Sequence, residues 1–474
     1  MITRTRTKRA RQGVQLLALA LGFVMATLDV TIINVAGPQL RTGLDLTLSG
    51  LTWVVDGYVL VFASLLLLAG SLAGRFGARR IYLAGLGLFT VASLVCAVAP
   101  VAGVLVAGRL AQGAGAALFM PSSLTLLMNA FPDGPERARV LGLWSAIVST
   151  AAGVGPAVGG LLVGGLGWRS IFLINLPVGL AALVLARRYV APLPGRPTPL
   201  GAGGHALGLV ALAALAYGLI QGPETGWGAA PVLAAFAVAL LAGAAFAVRE
   251  RAAGTRARVL PGELFAGAHF STANAVGFLF NLGCYGAMFM LGLFLQNARG
   301  ASPMEAGLQL LPTQMVFLLG NVLYAKVGNR VGNRAALAGS LLYSAAGTVA
   351  LALVVSPGLP YWVLAVVLGA FNTGLGVASP AMTGALMDAA GREHASIASA
   401  TLNANRQIGT LVGIAVMGAV LAGADGWYGG AAACFALAGG AYAGAALLAW
   451  FGLRARGSRA ERNAGARGSV RAAT

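Results

Sequence analysis

With 474 residues, 58% of them hydrophobic and only 9% charged, and a mean hydropathy of +0.82, this chain cannot be a water-soluble fold. Its net charge of +19 would suit a nucleic-acid partner, yet 28 of the 32 Lys and Arg fall in the two tails and in alternate loops once the apolar runs are taken as membrane spans. That distribution is the positive-inside pattern of a polytopic membrane protein, so nucleic acid is excluded as a partner and both termini are expected to be cytoplasmic.

Fourteen apolar stretches follow one another, each near the roughly 20 residues that cross a hydrocarbon core. They read approximately as 13–35, 50–70, 79–99, 101–128, 140–162, 168–186, 205–221, 228–248, 270–295, 304–326, 335–355, 359–382, 401–423 and 428–453. The first opens on a basic segment, as a secretory signal would. It carries Asp29, is too long for a signal core and lacks a small-residue cleavage site, so it is predicted to remain as span 1.

Charged groups deep in a bilayer are costly, at about 2.5–3.5 kcal/mol each on the insertion scale, and mark partners or cavities. Asp29 lies about two-thirds along span 1, where it can exchange a proton within the membrane. Asp56 is placed one to two turns inside the outer end of span 2, within reach of water. Arg109 sits inside span 4, where its guanidinium needs a carboxylate or several carbonyls, and Gln112, one turn away on the same face, is placed to share its hydrogen bonding or to line a cavity. Each of the three could equally be a structural hydrogen bond or clamp. In span 5 the run GVGPAVGG, residues 153–160, combines Gly153, Gly155, Gly159 and Gly160 with Pro156. Gly155 and Gly159 form a small-xxx-small pair that lets a neighbouring helix approach.

Between spans 2 and 3 stands Gly74-Arg75-Phe76-Gly77-Ala78-Arg79, and between spans 10 and 11 stands Asn329-Arg330-Val331-Gly332-Asn333-Arg334. Both are x-R-x-G-x-R, each in the second loop of a group of six spans. The expected organisation is therefore an all-α bundle of two six-helix halves, 1–189 and 269–454. They are joined by an insert, 190–268, with two extra spans, and followed by a basic tail, 455–474. In the second half Asn274, Asn281, Gln296, Gln314, Asn321, Asn372 and Gln407 are candidates to line a cavity or to bond between helices. Coupling chemistry is expected to sit in spans 1, 2 and 4. Cys96, Cys284 and Cys434 are spaced as packing residues, and His205, His269 and His394 fall in loops or at span ends. No metal site, P-loop or GxSxG elbow is present, so neither an enzyme nor an ATP-driven pump is expected.

Several segments together resemble the fourteen-span drug:proton antiporter family of the major facilitator superfamily. LDVTIINVAGP at 28–38 is similar to its first-span signature, and GSLAGRFGARR at 70–80 to its gating-loop motif, with Gly70, Gly74, Arg75, Gly77, Arg79 and Arg80. GRLAQGAGAA at 108–117 resembles its fourth-span motif with the buried Arg. GVGPAVGG resembles its fifth-span antiporter motif, and WRSIFLINLPVG at 168–179 and LFLQNARGASPMEAGLQLLP at 293–312 look like further family segments. Where the loop motif usually has Asp, this chain has Gly74, and its second-half copy has Asn329. The loop-to-helix charge contacts that the family uses at one gate thus lose their carboxylate.

The resemblance implies a monomeric major-facilitator fold in a bacterial plasma membrane, using the proton gradient and no cofactor to export amphipathic drugs or antibiotics by alternating access. A cationic cargo is left open. It implies a proton-transfer role for Arg109 and export for the fifth-span motif. A proton-coupled uptake permease would share everything but that motif, and a membrane sensor or lipid-processing enzyme would share the spans alone.

Overall fold

The computed structural model describes residues 2–131, 134–195, 201–252, 262–265, 267–390 and 395–453. Arg392, His394, the tail 455–474 and the side chain of Asn329 lie outside the described residues. The first half comprises α1 (Ile2–Leu44), α2 (Leu48–Phe76), α3 (Ala78–Ala97), α4 (Ala102–Ala130), α5 (Gly134–Leu166), the short α6 (Ser170–Leu173) and α7 (Asn175–Tyr189). The insert comprises α8 (Ala202–Thr225), α9 (Ala230–Ala252) and the short α10 (Gly262–Phe265). The second half comprises α11 (Ala268–Asn297), α12 (Pro303–Val331), α13 (Asn333–Val354), α14 (Tyr361–Ala390), α15 (Ala395–Ala422) and α16 (Trp427–Gly452). Among the described residues thirteen helices are long and apolar enough to cross a membrane, and α5 adds a shorter apolar stretch, Thr150–Leu166. The helix predicted from residue 13 begins at Ile2, so the basic N-terminal segment continues span 1 as helix.

The repeat read from x-R-x-G-x-R is visible in the packing. In the first half α1 packs on α5 and α7, α4 on α2 and α3, and α3 on α7. In the second half α11 packs on α15 and α16, α14 on α12 and α13, and α13 on α16. The repeated glycines do the same work in both copies. Gly77 (φ 96°) and Gly332 (φ 77°) turn the chain through a conformation that L side chains rarely adopt. The last arginine of each copy then ties its third helix to the last helix of the half: Arg79 donates to Arg187 O, and Arg334 Nε donates to Trp450 O at 2.9 Å.

The halves meet along α1–α11, α2–α15 and α5–α12, while α8 packs on α9 and also wedges against α2 and α15. The insert thus covers the α2–α15 seam and leaves α5–α12 uncovered. Among the basic residues assigned to the tail-bearing face, Arg406 belongs deeper: it lies eleven residues into α15, half-buried.

With an even number of spans, reporter fusions after Ala202 and at Thr474 should read the same side as the N-terminus, and one after Glu224 the opposite side. Opposite readings for the two termini would mean an odd count, with the insert the first place to look.

Candidate functional site

Asp29 of α1 and Arg109 of α4 form a buried ion pair, Nη1 to Oδ2 at 2.5 Å, with 4% and 1% of each residue exposed. The pair is enclosed by donors and acceptors from several helices. Arg109 Nε donates to Val54 O of α2 at 2.9 Å, and its Nη1 to Gln112 Oε1 at 2.9 Å. Asp29 Oδ1 accepts from Asn175 Nδ2 at 3.1 Å and from Gln112 Nε2 at 3.3 Å, and Gln112 Nε2 also reaches Ser93 Oγ at 2.8 Å. The guanidinium lies over the Tyr58 ring, 4.7 Å from its centroid. Every member is buried, so breaking the pair from one side would leave a charge without compensation, at a cost of about 3–5 kcal/mol. Ser93 and Asn175 are the members that sequence reasoning missed. Their signal was that of isolated polar residues within apolar spans 3 and 6.

Asp56 does not join this cluster. Arg109 takes the carbonyl of Val54, and two residues further on Asp56 points about 200° round the helix. The flank it shares with Ser49 and Trp53 faces α8, where Ser49 Oγ donates to Ile220 O at 2.7 Å and the Trp53 and Tyr217 rings lie 6.3 Å apart. The expected access to water is absent, because α4, α8 and α15 all pack on α2 and Asp56 is enclosed within the bundle. Asp56 is fully buried, and neither carboxyl oxygen has a hydrogen-bond partner among the described residues. Such an orphan polar group costs about 1–3 kcal/mol. Asp56→Leu should therefore leave thermal stability unchanged or raise it by an amount of that order, while lowering proton-driven transport. A lower melting temperature would show that the carboxyl has a structural partner after all.

The fifth-span motif is two-sided. Toward α1 a Cβ on Gly155 would strike Thr31 Oγ1, and one on Gly159 would lie 3.0 Å from Ile32 Cγ2. Toward α12 of the other half a Cβ on Gly160 would lie 2.6 Å from Pro303 O and 2.9 Å from Met304 Cα, and one on Gly153 would lie 3.1 Å from Met315 Cε. Gly307 lets α12 approach the carbonyl of Pro156 in return. The start of α12 is itself fixed by a capping box: Ser302 Oγ accepts from Glu305 N at 3.2 Å, and Glu305 Oε2 accepts from Ser302 N at 2.8 Å. The same end of the molecule is closed along the other seams. Gly292 abuts Asn34 O, Gly418 abuts Thr52, and Gln296 Nε2 donates to Val35 O at 2.9 Å. Apart from those of Gly153 and Gly155, which lie midway along their helices, these contacts lie toward the helix ends away from the basic tails and seal the structure on that side.

Just beyond the seal toward the basic face lies a cavity of about 160 Å³ between the halves. Thr31, Gly153, Tyr285, Gln314, Asn321 and Asn372 line it with Met288, Phe317 and Phe371. Three of the predicted lining residues, Gln314, Asn321 and Asn372, are therefore brought together. Three are not. Gln112 belongs to the Asp29–Arg109 cluster, Gln296 ties α11 to α1 in the seal, and Asn281 is buried with its Nδ2 donating to Gly277 O at 2.7 Å. No lining residue is charged. The charge near it is positive, since Arg406 acts electrostatically on Cys284 and Tyr285, both in the wall. A cationic cargo thus finds no carboxylate here. Tyr285 also borders a space of about 10 Å³ that reaches Arg109 and Tyr58, roughly the volume that admits one water. Tyr285 therefore borders both the central cavity and the space beside Arg109.

The gating-loop residues gather at the basic face. Gly77 supplies the turn, Arg79 the tie to Arg187 O, and Arg75 stacks over Phe76 at 5.6 Å, while Gly74 is exposed and a Cβ on Gly70 would meet nothing within 4 Å. Arg80 is exposed beside Arg79.

The Major Facilitator Superfamily profile matches residues 19–414 and 275–473. The chain is 53% identical over 438 residues to the methylenomycin A resistance protein of Streptomyces coelicolor, covering 92% of each. It is 49% identical over 440 residues to the methylenomycin A resistance protein of Bacillus subtilis, covering 93% of this chain and 94% of that one. To the multidrug resistance protein Stp of Mycobacterium tuberculosis it is 36% identical over 412 residues, 87% of this chain and 76% of the other. Among solved structures, an auto-inhibited POT family peptide transporter superposes with a TM-score of 0.69 at 15% identity, over 92% of this chain and 95% of that one, a likeness of fold alone.

Proposed function

We propose, starting from the fact that this chain belongs to the Major Facilitator Superfamily, how it works as a drug-efflux transporter. It is a multi-pass membrane protein that moves a small molecule, and the reading offered here is that inward proton flow drives the outward step. No cofactor and no catalytic step are involved. The basic face lies in the bacterial cytoplasm, the sealed face outside, and one copy suffices. Each charge that crosses supplies about 2.3 kcal/mol per 100 mV.

The observation that carries this reading is the adjacency of the Asp29–Arg109 pair and the cavity through Tyr285. While the pair is closed, Arg109, Gln112 and Asn175 occupy the carboxyl oxygens of Asp29. Rocking of the halves that opens the outer seal pulls at α1 and α11, and with them at this cluster. A proton from outside then takes the place of Arg109 on Asp29. Return to the sealed state restores the pair and sends the proton inward, so proton release is tied to conformation. Asp56, buried on the α2 flank whose Ser49 and Trp53 meet α8, is a second group able to change charge, and that neighbourhood gives the two additional helices a part in the cycle.

The cavity selects cargo by shape, amide hydrogen bonds and apolar contact. Its volume is below the roughly 300–1,000 Å³ of drug-sized ligand pockets, so a small uncharged or acidic amphipathic antibiotic suits it. Methylenomycin A is the first compound to try, given the names of the two nearer relatives reported above. In everted vesicles from expressing cells, an inside-acid pH gradient should drive its accumulation, and dissipating the gradient should stop it. Accumulation in right-side-out vesicles under an outside-acid gradient would make the chain an uptake permease instead.

A further inference from the structure

A second cavity, of about 740 Å³, opens at the basic face of the first half, far along α2 and α3 from the central cavity. Its walls are Phe76 at the end of α2, Arg79, Arg80 and Leu83 at the start of α3, Arg187 in the last turn of α7, and the strap Pro192–Gly195. The strap is built into the fold. A Cβ on Gly77 would lie 2.6 Å from Leu193 O, and one on Gly195 would strike Arg75 O, so strap and turn touch backbone to backbone.

Three guanidinium groups converge here with no carboxylate among the lining residues. Arg79 uses one Nη on Arg187 O, and its Nε is buried without a hydrogen-bond partner. Neither Arg80 nor Arg187 has a side-chain partner among the described residues. The repeat-related surface of the second half is different. There a carboxylate is present next to the corresponding arginine: Asn333, beside Arg334, donates to Asp388 Oδ2 at 2.6 Å. Like charges gathered without a counter-ion repel, and guanidinium groups meet phosphate oxygens in a paired geometry that ammonium groups lack. Phe76, 48% exposed, and Leu83 add an apolar wall at the level where α2 and α3 leave the hydrocarbon.

We propose that this basin binds a phosphate group, with an anionic phospholipid headgroup as its source and Phe76 and Leu83 against the first acyl carbons. Basic pockets between helices on the cytoplasmic side are suited to such headgroups. The purified full chain, delipidated in detergent, would be titrated with phosphatidylglycerol, phosphatidylcholine or inorganic phosphate, with retained lipid read by native mass spectrometry and the thermal midpoint followed in parallel. Phosphatidylglycerol should be retained and raise the midpoint, and phosphatidylcholine should do neither. The double variant Arg80→Gln, Arg187→Gln should hold phosphatidylglycerol about 30-fold more weakly, each basic residue near an anionic lipid surface being worth about fivefold. Arg80→Lys, Arg187→Lys keeps the charge and should lose less. A midpoint in phosphatidylcholine equal to that of the unaltered chain certifies each variant as folded, and if the double Gln variant fails that check, Arg187→Gln alone replaces it. Unchanged phosphatidylglycerol retention in the folded neutral variant, or equal retention of the two lipids by the unaltered chain, would overturn the site. A midpoint raised as much by inorganic phosphate, which also displaced phosphatidylglycerol, would overturn the lipid as its source.

Discussion

Proton release triggered by cargo should vanish in proteoliposomes containing Asp29→Asn. Asparagine keeps the shape of the side chain and one acceptor oxygen for Arg109, Gln112 and Asn175, but it has no proton to exchange. Arg109, 1% exposed, would then be a buried cation without its counter-charge. That costs about 3–5 kcal/mol, so rates must be normalised to folded protein. The pH-driven component of export should fall to the level of empty vesicles, while binding of an uncharged cargo to the cavity survives, since Asp29 does not line it. Asp29→Glu should keep part of the coupling. If Asp29→Asn released protons at the rate of the unaltered chain, the ion pair would be a structural clamp. Asp56 or another ion would then be left to carry the coupling, and the double Asp29→Asn, Asp56→Asn variant would tell these apart.

The second large effect is expected at the seam between α5 and α12. Gly160→Leu would place a Cβ 2.6 Å from Pro303 O, in the first turn of α12 between the two capping-box residues Ser302 and Glu305. Overpacking of this kind typically costs about 1–3 kcal/mol. Because the contact exists only while the seam is closed, the penalty falls on one state of the cycle and shifts the population about 5- to 150-fold toward the open one. Export should fall accordingly with insertion intact, and a cysteine introduced at Asn34 should become reactive to an impermeant maleimide from outside. Gly165→Leu, whose Cβ would meet nothing within 4 Å, is the control. Gly155→Leu differs from both, because it strikes Thr31 within the same half and should damage folding as well as export. Normal export by folded Gly160→Leu would mean that the seam yields and that the motif serves generic packing.

The sequence showed the spans, the two-fold repeat and the buried Asp29 and Arg109 because these depend on hydropathy, local pattern and the price of charge in lipid. It also placed Gln112 beside Arg109, a relation within one helix turn. What it could not show depends on which helices are neighbours. Asn175 and Ser93 reach Asp29 from α7 and α3, and no local pattern distinguishes them from other polar residues in apolar spans. Asp56 is expected to be wet because its distance from the helix end is legible in sequence and the packing of α4, α8 and α15 on α2 is not. Gln296 and Gln314 look alike in sequence, yet one stands near the end of α11 and reaches Val35 O in the seal, while the other stands midway along α12 in the cavity wall. The pairing of Gly155 with Gly159 is legible in span 5 and both face α1, whereas the turn of Gly153 and Gly160 toward α12 depends on which helix lies on the other side.

The outer seal is made of backbone placed against backbone, with Gly160, Gly292 and Gly307 at its closest points and the hydrogen bond from Gln296 to Val35 across it. No ion pair crosses it among the described residues. Electrolyte screens exposed charges over a Debye length of about 8 Å at physiological ionic strength, but it has nothing to screen here. The opening of this gate should therefore be indifferent to the salinity of the surroundings. It should respond instead to lateral pressure and bilayer thickness, which act on how closely two helices can be pressed together.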